Sequence, residues 1–283
     1  MTHMDKVFLP DLPPQVAEIP EPPEFLYLRG RLPPPETKFV TIVGSRRMSA
    51  YGRDAVDFLV AGLVGYPVAI VSGMALGVDG AAHRAAMKYG IPTVAFPGSG
   101  LNDDALYPRA HRALGLEILR RGGALLSEFS PEVKGQIHFF PKRNRIMVAF
   151  SHAVVVVEAS IQSGTLITAR LATDYGRELL VVPHSVFSEG GAGGHIFMKL
   201  GAAPARSASD ILEAVGIVEE KNIETLSLTS EEEEVLALLQ EPIPRDELIR
   251  ELGLATGEAN VLLAHMEIRG LIGESLGNIR KLV

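Results

Sequence analysis

The stretch FVTIVGSRR at residues 39–47 joins an apolar run to a turn of small and basic residues. The run has the mostly apolar, β-branched character of a strand that is buried on both faces of a sheet. Similar runs recur at residues 68–71, 93–96, 124–126, 153–157 and 178–182. Between them lie helical stretches at residues 51–64, 80–89, 109–121, 143–150 and 165–175. This alternation predicts an α/β fold, a Rossmann-like, doubly wound and mostly parallel sheet over residues 37–215.

Two smaller segments flank this predicted domain. Nine of the nineteen prolines fall in the first 35 residues, which predicts a proline-rich arm over residues 1–36. The arm either lies along the domain or is a free linker. Near the other end, Thr229 and Ser230 precede four acidic residues, a pattern typical of a helix start. Two further helical stretches, 245–252 and 256–269, and a hairpin over 271–282 predict a small winged-helix domain at residues 225–283.

Composition excludes several classes of protein. Of the 283 residues, 47% are hydrophobic, which is too high a share for a mostly disordered chain. Since the chain has no cysteine, it has no disulfide scaffold and no thiol nucleophile, and it suits a reducing compartment. No apolar run reaches the length of a membrane helix, and the N-terminus lacks the order of a signal peptide. We therefore expect a cytoplasmic protein without membrane insertion.

The net charge of −7 is distributed unevenly along the chain. Residues 36–215 carry eighteen basic and fifteen acidic side chains, whereas residues 216–283 carry six basic and fourteen acidic ones. An anionic ligand should therefore bind to the middle segment.

Small residues follow several predicted strands, as in Gly44-Ser45, Gly98-Ser99-Gly100 and Ser163-Gly164-Thr165. Carboxyl ends of parallel strands meet at one edge of a sheet, where ligands bind. Glycine lets a backbone approach a ligand closely, and the free amides at a helix start favour an anion. This edge predicts a phosphate-binding rim, although any single one of these segments is better explained as an ordinary tight turn.

The stretch HFFPKRNR at residues 138–145 places two aromatic rings before three cations and an amide. Unstacked bases need an aromatic face, and a phosphodiester backbone needs nearby cations. We interpret the following side chains as contacts for single-stranded nucleic acid: Phe140, Lys142, Arg143, Asn144 and Arg145. Arg46, at the tip of the first strand, adds a planar guanidinium suited to phosphate. The alternative places both phenylalanines in the core and the cations on a solvated face.

Replacing Arg46, or Arg143 together with Arg145, by alanine is expected to weaken binding to single-stranded nucleic acid without unfolding the chain.

Other polar residues of the predicted domain are best explained by structural roles. Asp79 and His83 are best explained as a helix-capping acid and a core histidine, since no third metal ligand accompanies them. Glu158 is best explained as a buried acid bonded to loop amides rather than as a general base.

Neither the P-loop nor the dinucleotide G-x-G-x-x-G pattern occurs in the sequence. Ser45 and Ser163 have no partners of the triad type. We therefore expect a protein that is not an enzyme, with no catalytic residue, no cofactor and no metal.

An ordered series of motifs resembles the DprA/Smf family of DNA-processing proteins. The matching blocks include residues 42–46, 72–79, 98–101, 140–146 and 163–169. The resemblance implies a Rossmann-like domain that binds single-stranded DNA, usually as a homodimer. It further implies a mediator of natural transformation that protects incoming single-stranded DNA and loads the RecA recombinase. The DNA site implied for this chain combines the aromatic-basic stretch with Gly44, Ser45, Arg46, Ser163, Gly164 and Thr165.

The sequence departs from the family pattern in three places. Residues 102–106 form a slightly longer loop before Tyr107-Pro108 than the family usually has. His184 follows Val182-Pro183 where the family usually has glycine, and His195 stands near a usual asparagine. The role of the loop at 184–195 therefore stays open. The predicted third helix of the winged-helix segment carries Glu258 and Glu267 against Arg269. Because a DNA-reading helix should be basic, we expect this segment to contact protein or to be purely structural.

Two alternative functions use the same edge of the sheet. A LOG-type nucleotide phosphoribohydrolase would need the motif Pro-Gly-Gly-x-Gly-Thr-x-x-Glu, but alignment on Gly164-Thr165 puts Thr168 at the position of the catalytic glutamate. A nucleotide-sensing Rossmann protein would bind a small nucleotide at the rim and signal through the acidic C-terminal segment.

Overall fold

A computed structural model of the chain describes residues 4–217, 228–268, 271–275 and 277–281. Its contacts divide the chain into two compact units, residues 1–219 and 220–283. The predicted arm belongs to the first unit. The finer boundaries predicted at residues 36, 215 and 225 stay predictions.

The first unit is a sheet of nine strands with seven helices in the residues described. The strands are β1 (Asp5–Phe8), β2 (Phe25–Gly30), β3 (Lys38–Val43), β4 (Val68–Ser72), β5 (Thr93–Ala95), β6 (Ala124–Ser127), β7 (Ala153–Val156), β8 (Glu178–Val181) and β9 (Ala203–Pro204). The helices are α1 (Ala50–Ala61), α2 (Val78–Lys88), α3 (Arg112–Arg120), α4 (Phe139–Phe150), α5 (Thr165–Asp174), α6 (Ala192–Lys199) and α7 (Ala208–Ala214). Short 3-10 helices occur at Leu9–Asp11, Pro14–Glu18, Arg109–His111 and Glu189–Gly191.

The strand order β1-β2-β6-β5-β4-β3-β7-β8-β9 confirms the predicted doubly wound, mostly parallel sheet. Every neighbouring pair from β6 to β9 is parallel, whereas β1 and β2 add an antiparallel edge next to β6. The order reverses beside β3, which has β4 on one side and β7 on the other. Open α/β sheets bind their ligands beyond the carboxyl ends of the strands at such a point.

The central strands are mostly apolar because both of their faces are covered. Along β3, Phe39 and Val43 enter one buried cluster, and Val40 and Ile42 enter a cluster on the opposite face. Helices α4 and α5 contribute to the first cluster, and α1, α2 and α7 contribute to the second. This is the burial that uniformly apolar parallel strands predict.

The six predicted strands and five predicted helices of this unit are all present, with small differences at their ends. Helix α4 differs most, because it begins at Phe139 rather than Arg143. Pro141 occupies its first turn, where a missing amide proton costs no helical hydrogen bond. The two aromatic residues therefore belong to the helix instead of preceding it. Strands β1, β2 and β9 and helices α6 and α7 had no prediction of their own.

The proline-rich arm is docked on the first unit, which favours the docked alternative over a free linker. Strand β2 pairs with β6, and Leu12, Val16, Ile19 and Leu26 are buried in the main core. Arg177 Nη2 also donates to the backbone oxygen of Gln15 over 2.7 Å.

The second unit is the predicted winged helix. Its elements are α8 (Ser230–Leu238), β10 (Ile243–Pro244), α9 (Arg245–Glu251), α10 (Thr256–Ile268), β11 (Ile272–Ser275) and β12 (Asn278–Lys281). Strand β12 lies between β10 and β11 in an antiparallel sheet. Thr229 caps α8 as predicted, since its Oγ1 accepts from the Glu232 amide over 3.2 Å. Arg269, which entered the charge prediction for the third helix, lies outside the described residues, as does Leu282 at the end of the hairpin.

No helix within the described ranges is both long enough and apolar enough to cross a membrane.

His83 offers a pH-dependent test of the fold. Its ring is buried in α2, where Nδ1 lies 2.8 Å from Thr93 Oγ1, and burial lowers its pKa from 6.5 to about 3. Below pH 6.5 the unfolded chain takes up a proton that the folded chain refuses. The free energy of unfolding should therefore decrease as the pH is lowered below 6.5, by up to about 1.4 kcal/mol per pH unit from this group. Urea unfolding of the wild type and His83→Leu between pH 7 and pH 5 should show a shallower decline in the variant; identical declines would contradict this assignment.

Candidate nucleic-acid interface

A cleft of about 520 Å³ opens beyond the carboxyl ends of β3, β4 and β7. It is bordered by the turn after β3, the start of α2, the first turns of α4 and the start of α5. Its lining residues are Val43, Gly44, Ser45, Arg46, Arg47, Ala75, Asp79, Ile137, Phe140, Pro141, Arg143, Asn144, Met147, Ser160, Ser163, Gly164, Thr165, Ile167 and Thr168. The cleft therefore lies at the point where the strand order reverses.

Most of the predicted contact residues come together in this cleft. Those that line it are Gly44, Ser45, Arg46, Phe140, Arg143, Asn144, Ser163, Gly164 and Thr165. Lys142 is exposed on α4 outside the lining. Arg145 also lies outside it, because Nη1 donates to the Glu21 carbonyl oxygen over 2.6 Å and Nη2 forms an ion pair with Glu128. For all of these residues, DNA contact stays a prediction.

The exposed guanidinium of Arg46 lies over the ring of Phe140, with Cζ 5.2 Å from the ring centroid. The half-buried ring packs near Tyr107, with 5.6 Å between their centroids. It also packs against the backbone of Gly98, where an added Cβ would lie 2.6 Å from Phe140 Cδ1. Glycine thus makes room for the ring, and the ring makes a cation–π contact with Arg46.

Arg143 forms the floor of the cleft and is only 7% exposed. Its Nη1 donates to the carbonyl oxygens of Gly73 and Phe96, and its Nε donates to Asn144 Oδ1 over 2.9 Å. Burial lowers the pKa of Arg143 to about 10, so the side chain stays protonated at neutral pH. The structure therefore gives Arg143 a supporting role that the sequence expectation, weaker binding without unfolding, did not include.

Asp79 supplies a negative charge near Arg143. Its Oδ2 accepts from the amides of Gly73 and Ala75, both over 3.2 Å, and these amides lie in the loop before α2. Asp79 therefore fixes that loop. The predicted helix-capping role is wrong, because the N-cap residue of α2 is Gly77 and no side chain caps it. Burial raises the pKa of Asp79, and the positive charge of Arg143 opposes that rise. Asp79 is the only carboxylate among the described cleft residues, and its amide contacts hold it in place.

The turn after β3 is fixed by the loop that precedes α2. The Ser45 carbonyl oxygen accepts from the Val78 amide over 3.1 Å, and Ser45 Oγ accepts from the Arg47 amide over 3.0 Å. Gly77 has φ +75°, and a Cβ there would collide with the Ser45 carbonyl oxygen. Arg47, which had no predicted role, is exposed and lines the cleft beside Arg46. The only sequence signal for it was its position directly after Arg46.

The start of α5 forms the opposite wall of the cleft. Ser163 Oγ accepts from the Thr165 amide over 3.2 Å, and Gly164 is exposed. Asn144 Nδ2 donates to Thr168 Oγ1 over 3.1 Å, so α4 and α5 are joined across the cleft. The amides of Ser163, Thr165, Leu166 and Ile167 all donate within this segment. The wall therefore favours an anion through the positive end of the α5 dipole rather than through a row of free amides.

Glu158 does not line the cleft and is 3% exposed. Its Oε2 accepts from the Ser49 amide over 3.0 Å, and its Oε1 accepts from Ser49 Oγ. These contacts agree with the interpretation of a buried structural acid. In the described part of the chain, no group of three or more potential metal-ligating side chains is placed to hold an ion.

The two histidines that depart from the family pattern are joined to each other. His184 Nε2 donates to the Val157 carbonyl oxygen over 2.8 Å, and His195 Nε2 donates to the His184 carbonyl oxygen over 3.1 Å. Neither side chain lines the cleft.

Comparison with known proteins agrees with this geometry. The family profile for DNA recombination-mediator protein A matches residues 4–216, and that for the DprA winged helix domain matches residues 220–278. The chain belongs to the DprA/Smf family. The family assignment drawn from the motif series is therefore confirmed.

Individual DprA/Smf relatives cover different shares of their own length. Protein Smf of Escherichia coli is 38% identical over 201 residues, which are 71% of this chain and 53% of the relative. DprA of Streptococcus pneumoniae is 36% identical over 200 residues, 71% of this chain and 70% of the relative. The chain thus spans about half the length of the Escherichia coli relative.

Two solved DprA structures share the fold. The X-ray structure of the Streptococcus pneumoniae protein has a TM-score of 0.69 and 34% identity, and covers 74% of each chain. The Helicobacter pylori structure has a TM-score of 0.65 and 27% identity, and covers 76% of this chain and 97% of that protein. It describes a single-stranded DNA binding mode of the Helicobacter pylori protein. Membership in this family does not favour the LOG-type hydrolase or the nucleotide sensor.

Arg143→Met tests whether the floor of the cleft depends on the buried guanidinium. The substitution leaves two carbonyl oxygens without their donor and Asp79 buried without its cation. We expect the free energy of unfolding to fall by about 2–4 kcal/mol, measured by urea titration with circular dichroism. Lys142→Met, the exposed neighbour, is the matched control and should change stability by less than about 0.5 kcal/mol. Equal stability of the two variants would show that Arg143 has no such role.

Proposed function

We propose that the chain binds single-stranded DNA in the cleft, with phosphates near Arg46 and the N-terminal end of α5 and a base stacked beside Phe140. The observation that carries this proposal is the exposed Arg46 guanidinium stacked 5.2 Å from the Phe140 centroid at the reversal of strand order. Guanidinium planes and aromatic rings are the groups on which unpaired bases stack.

The half-buried position of the Phe140 ring favours binding of a single strand over binding of a duplex. Phe140 is half-buried at the cleft floor beside Gly98, so a base must leave its neighbours to reach it. An unpaired base does this at small cost, whereas a duplex base must first be unpaired and unstacked. The other contacts are to phosphate, which carries no sequence information. Binding should therefore discriminate between strand states rather than between sequences.

We propose that the chain acts as a recombination mediator rather than an enzyme. It protects incoming single-stranded DNA during natural transformation, loads a RecA-type recombinase and works as a homodimer in the cytoplasm. The support is its membership in the DprA/Smf family, together with a cysteine-free composition that suits a reducing compartment. The absence of any cleft carboxylate other than Asp79 in the described residues also fits binding without hydrolysis.

Labelled oligo-dT tests the binding site directly. Phe140→Ala should weaken binding to the oligonucleotide by about 1–3 kcal/mol, because each base–aromatic stack contributes roughly that much. Arg46→Ala should weaken it and reduce the slope of log affinity against log salt by about 0.7, the value of one phosphate contact on a single strand. Arg53→Ala, at an exposed position outside the cleft lining, should leave both quantities unchanged.

The same titration with the matching duplex completes the experiment. The wild type should prefer the single strand at every salt concentration. Equal affinity for the duplex, or wild-type binding by both Arg46→Ala and Phe140→Ala, would contradict the proposed site.

Recombinase loading is tested separately. On single strands precoated with a single-stranded-DNA-binding protein, the wild type should shorten the lag before RecA filaments form. Arg46→Ala combined with Phe140→Ala should restore the full lag, because a mediator that cannot hold the strand cannot deliver it. A lag shortened equally by this double variant would separate recombinase loading from the cleft.

A further inference from the structure

The second unit carries an apolar groove of about 620 Å³ between the start of α8 and the outer face of α10. Leu254, Val261 and Leu262 supply its apolar surface, and Glu231 and Glu258 supply acidic groups at its border. We call this feature the acidic groove.

Helix α10 has two faces with different surroundings. Its inner face buries Ala259, Leu263 and Met266 in the core of the unit. Its outer face leaves Val261 72% exposed and Ile268 86% exposed, seven residues apart and hence on one side of the helix. Large side chains uncovered along one helix face are typical of an interaction site rather than of isolated surface residues.

The outer face is also open to close approach. Gly257 lies one turn before Val261 on α10, and an added Cβ there would meet only open space. A partner's backbone or side chain can therefore lie directly on the first turn of the helix. Nothing in the described residues of the second unit fills this position.

Charge selects the kind of partner. No lysine or arginine lines the acidic groove in the described residues, and residues 216–283 carry fourteen acidic against six basic side chains. Arg245, a basic residue of this unit, forms ion pairs with Glu267 and Glu274 over 3.0 and 2.6 Å. In a winged helix the third helix is the element placed to read DNA, but here its exposed face would repel phosphate.

We propose that the acidic groove docks a basic amphipathic helix of a partner protein. Apolar side chains at helical spacing cover Val261 and Leu262, and lysine or arginine residues on the flanks face Glu231 and Glu258. Such helix-in-groove recognition needs an apolar floor for affinity and complementary charge for orientation and specificity. This site is independent of the DNA cleft and lies on a different unit of the chain.

The border residues can be changed without disturbing the helix cap. Glu232 is buried and closes the capping box of α8, with Oε2 accepting from the Thr229 amide over 3.0 Å. It is therefore left intact. Glu231 and Glu258 are exposed and are the residues to reverse.

The test uses the full chain and two labelled synthetic helical peptides that share one leucine pattern, one with lysines and one with glutamates on the flanks. Fluorescence anisotropy should show at least tenfold tighter binding of the wild type to the lysine peptide. Glu231→Lys with Glu258→Lys should invert this preference. Glu234→Lys with Glu251→Lys makes the same charge change at exposed positions outside the groove and should keep it. Circular dichroism confirms that all variants are folded.

Val261→Asp provides an independent second variant. It should lower affinity for the lysine peptide at least tenfold while leaving oligo-dT binding unchanged. Three results would overturn the proposal. The first is equal affinity of the wild type for both peptides, and the second is an inverted peptide preference in the control variant Glu234→Lys with Glu251→Lys. The third is an unchanged affinity of Val261→Asp for the lysine peptide. Tight binding of duplex DNA that Val261→Asp abolishes would instead assign the face to DNA. A change of oligomeric state with Val261→Asp, seen by sedimentation velocity, would assign it to a second copy of the chain.

Discussion

A buried carboxylate and a buried guanidinium hold the floor of the cleft together. Asp79 accepts the Gly73 and Ala75 amides, and Arg143 donates to the Gly73 and Phe96 carbonyl oxygens. These contacts join the ends of β4 and β5 to α2 and α4. Either charge alone would be expensive to bury, so the two are retained as a set. Phe140 lies three residues before Arg143 on α4 and hence on the same side of the helix, which makes the position of its ring depend on this floor.

Backbone geometry next to the floor determines where the cations of the cleft lie. Met74 adopts φ +57°, an uncommon conformation for a residue other than glycine, and its carbonyl oxygen accepts from His111 Nδ1 over 2.9 Å. Gly77 then brings the loop against the Ser45 carbonyl oxygen. Such conformations persist only where the surrounding structure imposes them, and they cluster at binding sites. The turn that carries Arg46 is consequently positioned by the loop packed beneath it as well as by its own Ser45.

The sequence predicted the central sheet well because burial on both faces leaves an unbroken apolar signal in each strand. It predicted most of the cleft for a related reason, since the small and basic residues follow those strands directly. The sequence could not distinguish the buried Arg143 from the exposed Lys142. A cation that donates to the carbonyl oxygens of Gly73 and Phe96 has the same local sequence pattern as one that faces solvent. The sequence did not predict strand β2, because its pairing with β6 depends on residues about a hundred positions away. The sequence did not predict the acidic groove, because the groove forms only where α8 and α10 pack together.

In the proposed function, a single ring and a few phosphate contacts would bind DNA only weakly at each cleft. A stack of about 1–3 kcal/mol, added to salt-dependent phosphate contacts, corresponds to weak binding by one site. In the proposed homodimer, two such clefts on one strand raise the overall affinity by roughly 10²–10⁴ without any new contact. Dissociation of the strand from one cleft at a time would then stay fast, because each cleft binds DNA only weakly. The proposed role, which is to protect a strand and then transfer it to a recombinase, would need this combination, and a deeper pocket around Phe140 would make the transfer slower.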